Sequence, residues 1–243
     1  MKTAIIVQAR MTSTRLPGKV LKTVLGKSLL EFQIERLRRV RLADQIIIAT
    51  TTNETDQPIV DLCKRLQVSY WRGSEDDVLA RYYEAAKEFK ADLIVRVTSD
   101  CPLIDPEVID RHIRYYQDHQ SEFDYVSNVH CRTYPRGMDT EVFSFRVLSE
   151  AYENAVDCSE REHVTPYLYR NPEFYRIGDL AYDSDQSHHR WTVDTPEDFE
   201  LISRILETIY PTNPQFTLRD VLELLELHPE WSAINAHIEQ KKA

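Results

Sequence analysis

The chain has 243 residues, of which 42% are hydrophobic and 29% charged, and its formal net charge is −10. Such a composition fits one sizeable globular domain spanning 1-243 and excludes a disordered chain, while the acidic balance excludes extended nucleic-acid binding, which needs a basic stripe to displace counterions. No apolar run approaches a membrane span, and Met1-Lys2-Thr3 leads into a strand without a signal-peptide core, so no membrane partner is expected and the compartment is read as cytoplasmic.

Thr3-Ala4-Ile5-Ile6-Val7 is a short apolar run rich in β-branched residues and reads as a buried parallel strand. The loop leaving it, Gln8 to Lys19, sits where open α/β sheets collect ligands, at a strand's carboxyl end. Six basic residues (Lys2, Arg10, Arg15, Lys19, Lys22 and Lys27) and no acidic one fall between Met1 and Leu30. A chain that repels anions in general thus keeps one segment that attracts them. Arg10 and Arg15 offer planar forks that grip phosphate oxygens in pairs, and Lys19 adds a point charge; a solvated basic loop is the alternative. Gly26-Lys27-Ser28 is not a P-loop, because the position that needs the earlier glycine is Leu21.

Ser28 reads as an N-cap with Glu31 completing a capping box, and the helix it opens runs to about Val40. Gln45 to Thr50 is a second strand ending in a polar cluster, where Thr50 and Thr51 stand to read a nucleotide base or simply form a turn. A helix around Ile59 to Leu66 follows, then a strand Val68 to Trp71 that breaks at Arg72-Gly73, where glycine frees the backbone. Asp76 to Phe89 is an amphipathic helix, and Leu93 to Val97 the next strand. Strands alternating with helices predict βαβ units, a parallel sheet and a three-layer αβα architecture.

That strand ends in Thr98-Ser99-Asp100-Cys101-Pro102, with Asp105-Pro106 beyond. Asp105 before proline reads as an N-cap with proline at the first helical position. Asp100 has no helix to cap and is a metal-ligand candidate. From Tyr125 the alternation loosens: Tyr125 to Asn128 and Glu141 to Phe145 read as strands flanking Pro135-Arg136-Gly137-Met138-Asp139-Thr140. Arg136 suits a carboxylate partner and Asp139 and Glu141 suit hydroxyl donors; an exposed hairpin turn is the alternative. Ser159 with Glu162 reads as a second capping box opening a helix that carries His163, for which contact with substrate is favoured over catalytic base. His130-Cys131 and His188-His189 lack metal-ligand spacing, and the four cysteines form no Cys-x-x-Cys pair, so neither zinc nor a disulfide framework is indicated. Trp191-Thr192-Val193 leads to Asp194, which escapes the capping role because Thr195 caps and Pro196 starts the helix. Two further helices, around Leu201 to Ile209 and Leu218 to Leu225, complete the chain, whose end from Glu239 to Ala243 reads as frayed.

The ordered run Gln8-Ala9-Arg10 with Ser13-Thr14-Arg15-Leu16-Pro17-Gly18-Lys19 resembles the nucleotide-binding signature of the cytidylyltransferases that activate 3-deoxy-manno-octulosonate and sialic acids, in particular the SpsF-like branch. The segments at Asp100, Arg136 to Glu141, Arg161 to Thr165 and Trp191 to Asp198 extend that resemblance over most of the chain. It implies the nucleotide-diphospho-sugar transferase fold and a reaction in which an acidic sugar attacks CTP, giving a CMP-sugar and pyrophosphate for surface polysaccharide. Arg10, Arg15 and Lys19 would hold the phosphates. Gln8, Ala9, Thr50, Thr51, Arg72, Gly73 and Ser99 are the further nucleotide-binding candidates, Asp100 and Asp194 would hold Mg²⁺, and Arg136, Asp139, Glu141 and His163 would meet the sugar. Residues 125-180 are then an excursion that lines the sugar pocket and forms a homodimer contact, with Tyr134, Phe143, Tyr167, Tyr169 and Tyr175 as its aromatic core. Ser99 departs from the glycine that this family places before the metal aspartate. A glycosyltransferase of related fold and a non-catalytic nucleotide-binding protein are the rival readings; the first normally shows two aspartates one residue apart, where this chain has Asp100-Cys101-Pro102.

Overall fold

A seven-stranded sheet sits between two helical layers in the computed structural model, which describes residues 1–240. Strands β1 (Thr3–Gln8), β4 (Gln45–Thr51), β5 (Ser69–Gly73) and β6 (Leu93–Thr98) run parallel in the spatial order β5-β4-β1-β6. The sheet continues antiparallel into β8 (Glu141–Ser144) and β7 (Tyr125–Ser127), and β9 (Ile177–Asp179) joins β7 in parallel. Thr23–Val24 and Lys27–Ser28 form a separate two-stranded ribbon, β2 and β3.

The central strands are apolar on both faces because both faces are covered. In β1, Ile5 and Val7 enter one core and Ala4 and Ile6 the other, following the two-residue period of a strand. The first core takes α1 (Leu29–Leu37), α2 (Gln57–Leu66), α4 (Pro106–Asp118), α8 (Pro196–Ile209) and α9 (Leu218–Leu227). The second takes α3 (Val78–Glu88), α5 (Phe145–Asn154) and the short α7 (Pro166–Arg170). This is the three-layer α/β arrangement with a mostly parallel sheet that the sequence predicts.

Local chemistry sets most boundaries as expected. Ser28 caps α1 through Glu31 N at 3.2 Å, although Glu31 spends its carboxylate on Arg65 rather than closing a capping box. Asp105 caps α4 through Glu107 N at 2.8 Å and also accepts from Leu218 N, holding the start of α9. Thr195 and Thr217 cap α8 and α9 in complete capping boxes.

Three expectations need correction. The helix α6 (Cys158–His163) is capped by Asp157, whose carboxylate takes Ser159 N at 2.8 Å; a carboxylate two positions earlier displaces the Ser159 hydroxyl from that role. Tyr134, Phe143 and Tyr175 are buried within the chain and serve its own packing, not an exposed interface. At the end read as frayed, Gln240 accepts a hydrogen bond from Arg190 Nη1, while Lys241, Lys242 and Ala243 lie outside the described residues.

His112 in α4 is fully buried, and its Nδ1–H donates to Val108 O at 2.6 Å. Burial, aided by the Arg111 charge and opposed by that hydrogen bond and the Asp179 charge, pushes its pKa from 6.5 down to about 4. Below pH 6.5 the unfolded chain binds a proton that the folded one refuses, so stability is full above that pH and falls until the folded ring also protonates near pH 4. The loss over that window should be on the order of 3 kcal/mol. Urea denaturation at several pH values should show this slope in the wild type and a flatter one in His112→Gln; equal slopes would remove His112 as its origin.

Candidate active site

The parallel strands end together on one rim, and the loops leaving β1 and β6 open there into a cleft of ≈ 570 Å³. The β1 loop is pinned where it leaves the strand. Ala9 N bonds Ala49 O at 3.1 Å and Met11 N reaches the buried Asp56 carboxylate at 2.8 Å. Leu16 enters the core, and Gly18, at φ 67° where a side chain is costly, turns the backbone so that Lys19 starts a 3₁₀ turn facing the cleft.

Lys19 ends between two carboxylates, with Nζ at 3.0 Å from Asp100 Oδ2 and 2.8 Å from Asp194 Oδ1. Burial works against both charges, yet the pairing prevails: the Lys19 ammonium holds the Asp100 carboxyl at about 2, and the two carboxylates hold the Lys19 pKa above its ordinary value. Arg15 adds a contact to Asp194 Oδ2 at 2.9 Å.

Asp194 is brought here by backbone. Val193 N bonds Asp100 O at 2.8 Å, while Arg136 N bonds His189 O and Trp191 N bonds Arg136 O at 3.0 and 2.7 Å. One strap thus ties the Arg136 loop to the metal-candidate strand. Behind it, the fully buried Asp198 accepts from Asp194 N, Thr195 N, Arg190 and Asn235, and Arg190 Nη2 also donates to Asp194 Oδ2 at 3.0 Å. A side-chain network therefore fixes the rotamer of the carboxylate that faces Lys19.

Beyond Asp100 the lining becomes a field of paired charges. Arg132 forms a two-pronged pair with Asp139. Arg96 pairs with Glu141, directly opposite in the β6–β8 register, and Glu141 Oε2 also accepts from Tyr125 OH at 2.7 Å. Arg136 is different: among the described residues its guanidinium meets no carboxylate at ion-pair distance, and burial together with the neighbouring Arg132 and Arg190 lowers its pKa. His163 lines the same cleft. It immediately precedes Val164, at φ 74° and ψ −53°, where Thr165 N bonds His163 O at 2.9 Å. That is a γ-turn of the high-energy hand on a β-branched residue, a strain held in place by the buried Val164 side chain.

Of the candidates from sequence, Gln8, Ala9, Arg10, Arg15, Lys19, Ser99, Asp100, Arg136, Asp139, Glu141, His163 and Asp194 all line this one cleft. Thr50, Thr51, Arg72 and Gly73 do not. The two threonine hydroxyls are buried and donate to Asp56 Oδ2, Arg72 donates to Thr51 O and Asn53 O, and Gly73 pairs with Thr51 across β4–β5. Their polarity builds the seat of the β1 loop, because Asp56 is the carboxylate that also holds Met11. The reading from sequence passed over Arg96 and Arg132 in the lining, and Arg190, Asp198 and Asn235 behind it. Arg96 alone left a signal, a charge in the middle of the apolar run Leu93 to Val97.

The geometry joins a phosphate-type loop, two carboxylates able to share one cation and a pocket of arginines. The model of the cytidylyltransferase family matches residues 4–224. The chain belongs to this family. It is 32% identical over 232 residues to the spore coat polysaccharide biosynthesis protein SpsF of Bacillus subtilis, covering 93% of this chain and 94% of SpsF, and belongs to the SpsF-like branch. It is 38% identical over 243 residues, 99% of this chain and 97% of the relative, to an uncharacterised protein of Methanocaldococcus jannaschii. The solved structure of a cytidylyltransferase from Leptospira borgpetersenii superposes with a TM-score of 0.92 at 33% identity over 100% of both chains. CMP:2-keto-3-deoxy-manno-octonic acid synthetase complexed with CTP shares the fold, with a TM-score of 0.66 at 18% identity over 85% of this chain and 99% of that one.

Gly137 tests the strap. At its φ of 104° an added Cβ would lie 2.7 Å from Trp191 O, in backbone that has no room to move. Gly137→Ala should therefore cost on the order of 2 kcal/mol or more, combining a forbidden dihedral with a clash. Chemical denaturation would check it, and an unchanged midpoint would show the strap to be looser than this.

Proposed function

We propose that this cytidylyltransferase transfers CMP from CTP to the hydroxyl of an acidic sugar, releasing pyrophosphate and supplying a CMP-sugar for surface polysaccharide in the cytoplasm. The observation that carries this reading is the charge pattern of the cleft. Cations of the β1 loop meet Asp100 and Asp194 there, and in the same cleft Arg136, among the described residues, has no carboxylate at ion-pair distance. The SpsF relative supports the polysaccharide setting. The 3-deoxy-manno-octulosonate cytidylyltransferase of Pelobacter propionicus, 35% identical over 119 residues that make up 48% of this chain and 45% of that enzyme, supports the acidic sugar.

In-line displacement at phosphorus needs positioning and charge neutralisation rather than a covalent intermediate. Arg10 and Arg15 bind the phosphates through their forks, and Lys19 supplies a compact charge beside them. Asp100 and Asp194 fit a hard divalent ion such as Mg²⁺: Lys19 already bridges them at 3.0 and 2.8 Å, both offer oxygen donors, and Mg²⁺ commonly takes only one or two protein carboxylates. When bound, such an ion supplies charge neutralisation and acidifies a hydroxyl near it. Thr98, which donates to Asp100 Oδ1, and Arg190, which donates to Asp194 Oδ2, orient the two carboxylates. Arg136 orients the sugar through its carboxylate, with Arg132–Asp139 and Arg96–Glu141 as the walls and His163 as a contact.

Residues 125-180 are proposed as the sugar-binding and dimerisation excursion of a single domain. There Val156 and Phe174, 90% and 72% exposed, are the apolar side chains that a homodimer would cover.

Pyrophosphate release assayed with the four nucleoside triphosphates against a panel of acidic sugars tests the reaction; release with none of them would overturn it, and transfer from a nucleotide sugar would revive the glycosyltransferase reading. Asp100→Asn and Asp194→Asn should each abolish most turnover, and the double variant should be little worse than either, because groups acting on one ion are non-additive. Asp105→Asn should retain activity but lose about 1–2 kcal/mol of stability, since an amide NH₂ replaces one of the two oxygens that Glu107 N and Leu218 N use. A dead Asp105→Asn beside an active Asp100→Asn would reverse their roles.

Arg136→Ala should raise KM for the sugar roughly 10- to 100-fold, the worth of a charge-assisted hydrogen bond, with KM for CTP little changed. An equal effect on both substrates would place Arg136 at the nucleotide instead.

A further inference from the structure

Arg161 and Asp77 do not line the cleft, yet the residues that follow each of them do. Asp77 caps α3 by accepting from Ala80 N at 2.8 Å, and Val78 and Arg81 at the start of that helix are cleft residues. Arg161 lies in α6, where Glu162 and His163 come next in the chain and line the cleft as well.

One guanidinium joins these elements to a third. Arg161 Nε donates to Asp77 Oδ2 at 3.0 Å, and Nη2 donates to the same oxygen. Its Nη1 donates to Tyr152 O at 2.7 Å and to Ala155 O at 3.5 Å, carbonyls at the C-terminal end of α5, where the helix has no N–H groups of its own to offer. The guanidinium carbon also stands 4.9 Å from the centroid of the Tyr152 ring.

The helix α6 has few other means of holding its place. It is six residues long and buries none of its side chains, so neither intrinsic helix stability nor an apolar face fixes it. Arg170 reaches Asp157 and Glu160 at 3.9 Å, but that arginine sits in α7, the next turn of the chain, and gives a local tie. The bonds of Arg161 instead run to α3 and α5, elements of the second helical layer.

We infer that Arg161 is a positioning residue for the reaction: gripped by Asp77 and by the end of α5, it sets α6 so that His163 stands in the cleft. The inference rests on the reading of His163 as a sugar contact. The Arg161 and Asp77 side chains are 21% and 31% exposed, and a pair so placed contributes little to global stability, so its loss displaces α6 without unfolding the chain.

Pyrophosphate release from CTP, with the acidic sugar of the panel that is turned over fastest, tests this on the full chain. His163→Ala should raise KM for that sugar about 10-fold, the worth of one hydrogen bond. Arg161→Met should reproduce most of that rise with KM for CTP unchanged, and so should Asp77→Asn, which keeps an oxygen for Ala80 N but loses the charge that Arg161 grips. In the double variant Arg161→Met with His163→Ala, KM for the sugar should be no higher than in His163→Ala alone; additive effects, or an equal rise for CTP, would make Arg161 merely structural and overturn the inference. Amide hydrogen exchange over Cys158–His163 should quicken in Arg161→Met and Asp77→Asn while α8 is unaffected, and unchanged exchange there overturns the clamp whatever the kinetics. A His163→Ala variant with normal KM for the sugar would overturn the reading of His163 and the inference with it, whereas a raised KM in His163→Ala beside a normal one in Arg161→Met would overturn the inference alone.

Discussion

A single ammonium group between two carboxylates holds the active rim together. Lys19 belongs to the loop after the first strand, Asp100 to the end of β6 and Asp194 to the strap before α8, and the lysine bonds to partners 81 and 175 positions away in the chain. Without a cation at that point the parallel sheet would bring two acids face to face at its carboxyl end, where repulsion and partial burial would both oppose folding. The lysine keeps the two carboxylates close without that repulsion.

That arrangement depends on a second layer of buried polar groups. Asp198 collects hydrogen bonds from Asp194 N, Thr195 N, Arg190 and Asn235, and Asp56 collects them from Met11 N, Thr50 and Thr51. Each is a buried carboxylate whose cost is offset by several donors, and each fixes the approach of one flank of the cleft. The acidic composition of the protein thus serves in part to anchor its own cationic loop.

Much of this was legible in the sequence where the determinant is local. Apolar runs gave the strands, and Asp105-Pro106 and Thr195-Pro196 declared themselves as helix starts, which in turn singled out Asp100 and Asp194 as acids without a structural duty. What escaped depended on pairing across the fold. Thr50 and Thr51 looked like ligand-reading hydroxyls because nothing in their immediate sequence shows that Asp56 folds back onto them. Tyr134, Phe143 and Tyr175 looked like interface aromatics because composition does not distinguish a covered ring from an exposed one. Arg96 acquires its meaning only when β8 sets Glu141 opposite it. The Asp157 cap was misplaced onto Ser159 because two capping residues stood two positions apart, and the carboxylate proved the better acceptor.

The γ-turn at Val164 carries a consequence for how this protein tolerates change. A residue that belongs in a strand is bent into a dihedral region suited to glycine, one position after a histidine of the cleft. Glycine there would relieve the strain. The valine side chain, however, is 1% exposed and anchors the turn to the core under the second helical layer. Relief of the dihedral would therefore cost a buried side chain, so the turn beside His163 and the packing of the second helical layer constrain one another at a single position.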